Sequence, residues 1–195
     1  MTKAQPPMTK AHDGTIEAES RQKLLRLARR ALEARVARQS APPVEQGGVL
    51  DEPRGAFVTI RRHGELRGCL GRISPDASLA ETIVDLGALV SDSDPRFNPV
   101  APAELDDLDV EISVLTPERE VHSIADIEPG RHGLIVEKGF RRGLLLPQVA
   151  AEQGWDAETF ASQTCRKAGL PPDAWRRGAR IFVFEAEVFG ESDDS

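Results

Sequence analysis

The feature of this sequence best suited to chemistry is a cysteine set among glycines. In the stretch GELRGCLGR, Gly64 to Arg72, Cys69 follows Gly68 and precedes Leu70 and Gly71, with Arg67 and Arg72 close on either side. Glycines weaken a strand and open its backbone, whereas a cysteine used only as core filling sits among bulky apolar neighbours. A thiolate attacks electrophiles and binds soft metals, and a fixed cation nearby favours that charged form. Strand alternation sets Arg67, Cys69 and Gly71 on one face, with Leu66, Gly68 and Leu70 turned to the other, where the apolar pair meets the core. On this reading Cys69 is a nucleophile or redox thiol and Arg67 is its activating cation or an anion anchor. Gly68, Gly71 and Arg72 then shape the space for a ligand. The competing reading is a small, inert, buried cysteine under a crossing helix.

A thiol nucleophile also needs a base. Glu111 stands with Asp109 on the polar side of an alternating segment, as general base or as the partner of Arg67. His132 precedes Gly133 in PGRHGLIV and is the histidine most suited to move a proton, while His63 reads as a solvated turn residue and His122 as the start of a loop. The chain has no tyrosine, which removes one common general acid. Cys165 reads as core, and no cysteine or histidine pair has metal-ligand spacing, so no metal is expected.

Composition narrows the classes. The chain has 195 residues, 39 % hydrophobic and 29 % charged, enough for a proper core. No apolar run approaches the ~20 residues of a bilayer span, and the N-terminal MTKAQPPMTKAHDG has no apolar stretch of a secretory signal, so a cytoplasmic protein with no membrane partner is expected. A formal charge of −7 disfavours nucleic acid. Two cysteines far apart, in a reducing compartment, read as free thiols.

These residues need elements to hold them. Apolar residues at helical spacing from Glu19 to Val36 predict an amphipathic helix, and the Pro- and Gly-containing run that follows predicts a loop. Ala56 to Arg61 and Glu65 to Gly71 read as a hairpin turning at His63-Gly64. Ser78 and Glu81 form a capping box before the stripe Leu79, Ile83, Leu86 and Val90. LDVEISVL alternates cleanly as a half-buried strand ended by Pro117. Leu134 to Glu137 and Gly143 to Leu146 predict a second hairpin with a Lys138-Gly139 corner, stopped by Pro147. A helix capped by Asp156 and ended by Gly169 follows, then RIFVFEAEVFG as one long strand. The class is α+β, a mostly antiparallel sheet flanked by helices.

GAFVTIRRHGELRGCLG, DPRFNPV, LDVEISVLTP, GLIVEKGFRRGLLLPQVAAEQGWDAETF and CRKAGLPPDAW, in that order, resemble the AMMECR domain family, also called protein A of the AmmeMemoRadiSam system. LRGCLG resembles the family's hexapeptide, with Leu70 where isoleucine is usual. Residues 1–14 read as a disordered leader and 190–195 as an acidic tail, and the resemblance implies a domain over 15–189. It divides the domain into a larger sheet-and-helix part and a second, smaller sheet-containing subdomain meeting at a cleft, with Leu66 to Gly71 on the functional surface. It also implies a pathway shared with a radical-SAM protein and a Memo-type protein, and it brings no settled reaction, substrate or cofactor. Two functions follow as expectations: an enzyme using the Cys69 thiol, or a non-catalytic module that docks those partners.

Overall fold

The structure is a computed structural model that describes residues 15–74 and 76–194. The predicted leader, 1–14, lies outside the described residues. Two antiparallel four-stranded sheets organise the chain. The first has the order β2 (Glu65–Arg72), β1 (Ala56–Arg62), β3 (Leu108–Leu115) and β8 (Ala186–Gly190). The second has the order β4 (Arg119–Val121), β7 (Arg180–Phe184), β5 (Gly133–Lys138) and β6 (Arg141–Leu145). Each sheet carries its own buried cluster, which bears out the α+β class.

Helices α1 (Ala18–Val36) and α2 (Leu79–Leu89) pack on each other and on one face of the first sheet. The predicted stripes are the buried ones: Leu24, Ala28, Ala31 and Leu32 from α1, and Leu79, Ile83 and Leu86 from α2, meet Val58, Ile60, Val110 and Ile112. Each fully buried aliphatic side chain here stabilises the fold by ~1.5–3 kcal/mol relative to exposure. The start of α2 is set as its sequence requires. Ser78 Oγ accepts from the Glu81 N–H at 3.3 Å, and the Glu81 carboxylate accepts from the Ser78 N–H at 3.0 Å. Ser78→Ala is expected to cost about 1 kcal/mol and lower Tm by roughly 2–4 °C in a thermal melt, and an unchanged melt would show the cap to be idle.

In the second unit α4 (Ala157–Lys167) lies over β5 and β6, with Phe160, Ala161 and Cys165 fully buried. Asp156 caps it, accepting from the Thr159 N–H at 2.8 Å. A short α3 (Pro147–Gln153) precedes it, where the sequence reading used Pro147 only as a stop. Proline suits the first turn of a helix, where its missing N–H is not needed. The hairpin turn falls at Gly139-Phe140, one residue beyond the expected corner.

The expected single long C-terminal strand is two strands in different sheets. The chain leaves the second sheet at Phe184 and enters the first at Ala186. The crossing is held by Thr116, which follows β3: its N–H donates to the Glu185 carbonyl at 2.9 Å, and its Oγ1 accepts from the Glu185 N–H at 2.8 Å. In the C-terminal segment Glu191 accepts from the Val110 N–H and pairs with Arg29.

Candidate functional site

β2 is an edge strand, and its outward backbone groups need partners from beyond the sheet. The segment Asp94 to Glu104 supplies one, to the Cys69 N–H, and holds the Arg67 side chain. The Cys69 N–H donates to Asp94 Oδ2 at 2.9 Å, while the Arg96 guanidinium donates to the same carboxylate at 2.7 and 3.0 Å. Arg67 reaches the far end of the segment, donating to the Glu104 carboxylate at 3.0 and 3.1 Å and to the Asn98 and Pro99 carbonyls at 3.0 and 3.4 Å. Both guanidiniums lie over the Phe97 ring, 6.0 Å (Arg67) and 5.5 Å (Arg96) from its centroid. The Arg96 guanidinium, helped by the backbone N–H groups of Cys69 and Arg96, holds the buried Asp94 carboxyl far below the usual carboxylate range. Arg67, then the Ala101 N–H, lowers Glu104 in the same way.

The thiol itself is half-buried on the helix-free face of the first sheet. Register places Cys69 beside Thr59 and Thr59 beside Glu111. The Thr59 hydroxyl donates to Cys69 Sγ at 3.3 Å. Glu111 shares this face as expected, but two strand spacings put its backbone about 10 Å from that of Cys69. Its carboxylate lies 3.5 Å from Arg61 Nε. The Arg96 pKa is raised chiefly by its hydrogen bonds to Asp94.

The alternation expected for β2 fails at one point. Pairing shifts between Ile60 and Arg61, so that Gly68 faces Ile60 while Leu66 faces Arg61, leaving Arg67 as an extra residue in a bulge. A bulge re-aims side chains. Leu66 is therefore 39 % exposed rather than turned to the core. Arg67 turns to Glu104 instead of standing beside the thiol. Gly68 and Gly71 lie under other groups and not in open space. A Cβ on Gly71 would lie 2.1 Å from the Phe57 ring, which covers it, and one on Gly68 would meet the Val90 carbonyl at 3.0 Å, beneath the end of α2. Arg72 pairs with Asp85 on α2 at 3.0 Å. His132 belongs to the second unit, where its Nδ1 accepts from the Glu128 N–H at 3.0 Å. Among the described residues no hydrogen bond joins it to β2.

The sheets meet along Leu115, Ile135 and Phe184, with Phe57, Leu144 and Phe182 against them. A cavity of about 430 Å³ opens at this junction, floored by Ile73, Leu115, Ile135, Leu144 and Phe184, with Glu52, Arg54 and Glu118 also lining it. Cys69 does not line it. Cys165 is fully buried in the other unit, and burial raises its pKa. Sequence reasoning missed Thr59, Asp94, Arg96 and Glu104. The motif DPRFNPV carried two of them, yet nothing in its spacing told that it folds along the edge of β2.

A profile of the AMMECR1 family matches residues 25–189. A protein of Methanothermobacter thermautotrophicus is 47 % identical over 177 residues, covering 86 % of this chain and 92 % of the relative. One of Thermococcus kodakarensis is 46 % identical over 181 residues, covering 86 % of this chain and 88 % of the relative. The crystal structure of an uncharacterised protein of Pyrococcus horikoshii is similar with a TM-score of 0.66 at 44 % identity, covering 86 % of this chain and 89 % of the other. With the hexapeptide, its covering segment and the two-sheet fold in one register, the chain belongs to the AMMECR1 family.

Proposed function

We propose that this chain is a binding module of the cytoplasm, whose docking surface is the helix-free face of the first sheet together with the adjoining cavity. The observation carrying this reading is that the side chains expected to activate the thiol are committed elsewhere: Arg67 to Glu104, Glu111 to Arg61, and His132 to the Glu128 N–H. Cys69 is then present for its small size, which alanine shares, and its hydrogen bond from Thr59 is not needed for docking. The proposed partners are proteins of the radical-SAM and Memo types, as the family resemblance implies. On the sheet face Val188 is 50 % exposed, as suits an interface residue.

The enzyme reading has one observation in its favour: the Thr59 hydroxyl donates to Sγ at 3.3 Å. Titration calorimetry with a purified Memo-type protein separates the two. Val188→Arg is expected to weaken binding at least about tenfold, because a charge at an interface core is left without solvent or partner, whereas Cys69→Ala binds like the wild type and keeps pathway output. Loss of output from Cys69→Ala with binding intact would instead assign chemistry to the thiol.

A further inference from the structure

The tip of the β5–β6 hairpin stands apart from both surfaces described above. Phe140 is 99 % exposed there, on a turn made tight by Gly139 at φ 62°. The hairpin is not a loose flap. Lys138 Nζ donates to the Arg177 carbonyl at 2.6 Å and Arg141 donates to the Gly169 carbonyl, tying the tip to the segments on its two sides. The end of α4 lies beside it, bringing Arg166 and Lys167 to the same end of the molecule.

Charge at this end is one-sided. The carboxylates are matched: Asp173 by Arg177, Glu158 by Arg176, and Glu137 and Glu118 together by Arg142 and Arg180. Lys138, Arg141, Arg166 and Lys167 form no ion pair among the described residues, and all four are exposed. An aromatic knob flanked by unpaired cations therefore projects from a chain whose formal charge is −7. At physiological salt a charged surface is felt over only ~8 Å, so whatever touches the knob meets these cations and not the acidic remainder.

We propose that this hairpin tip is a reversible, peripheral contact for an anionic lipid surface, with Phe140 entering the headgroup boundary and the four cations facing lipid phosphates and carboxylates. A lone exposed aromatic favours lipid over protein. The other large exposed apolar residues, Val44, Leu66, Ile73 and Val188, are not on this hairpin, and a stable protein interface needs about 800 Å² per side with an apolar centre. A bilayer accepts one ring and rewards each nearby cation. This departs from the expectation of no membrane partner, which rested on spanning and signal segments and not on surface contacts.

Cosedimentation with vesicles of about 30 % phosphatidylserine in phosphatidylcholine, at about 0.05 M salt, tests it. The wild type is expected to pellet with these and not with pure phosphatidylcholine, and about 0.5 M salt should release it. Phe140→Ser and the pair Arg166→Glu with Lys167→Glu should each weaken binding about tenfold, with unchanged circular dichroism because all three side chains are exposed. Failure of the wild type to pellet with the anionic vesicles would overturn the proposal and hand the knob to an acid-rimmed pocket on a protein. Binding by Phe140→Ser equal to that of the wild type would overturn it too, since no ring would be entering the lipid.

Discussion

Arg67→Ala is expected to destabilise the fold by about 3 kcal/mol in urea unfolding. Arg67 and Glu104 are only 16 % and 17 % exposed, so water screens the pair little. Removing the guanidinium leaves the Glu104 carboxylate without its main partner and loosens the Asn98 and Pro99 carbonyls along the edge of β2. The Ala101 N–H still donates to Glu104 at 2.8 Å, which keeps the loss below that of a fully orphaned charge. Arg67→Lys should recover less than half, because a single ammonium cannot donate in parallel to both carboxylate oxygens and also reach two carbonyls. A double-mutant cycle with Glu104→Gln should give a coupling of about 1–3 kcal/mol. A loss under about 1 kcal/mol for Arg67→Ala would class the pair with ordinary surface ion pairs and remove its role as a lock.

Asp94→Asn is expected to cost about 2–3 kcal/mol at pH 7, and this cost should shrink in acid. Asp94 is 4 % exposed and accepts from two backbone N–H groups and from the Arg96 guanidinium. An asparagine of the same shape must point its NH2 at one of those donors. The sign with pH follows from the direction of the shift. The folded Asp94 pKa is depressed, so its contribution is complete above the unfolded carboxyl value of ~3.9 and is lost as pH falls toward the folded value. Between pH 5 and pH 3 the difference between wild type and variant should narrow by about 1 kcal/mol in urea titrations. A difference that stays constant over that range would mean the Asp94 charge contributes nothing to the fold.

Much of the fold was legible because local signals and tertiary needs coincide. The capping box at Ser78, the Asp156 cap and the alternation of Leu108, Val110, Ile112 and Val114 each rest on contacts within a few residues or on one amphipathic face. The missed α3 and the split C-terminal strand have a different origin. Ile181 to Phe189 is apolar enough to read as one strand, and only the bond pair between Glu185 and Thr116, 69 residues apart, makes it change sheets.

The sequence by itself determined the class and the family, since periodicity, caps and motif order are local properties. It could not determine what Cys69 touches. One extra residue in β2 turned Arg67 from the thiol to Glu104, and a segment about 25 residues downstream brought Asp94 and Arg96 to the strand edge instead. Register and edge covering depend on which distant segment satisfies the last unpaired backbone groups, and only the folded chain decides that.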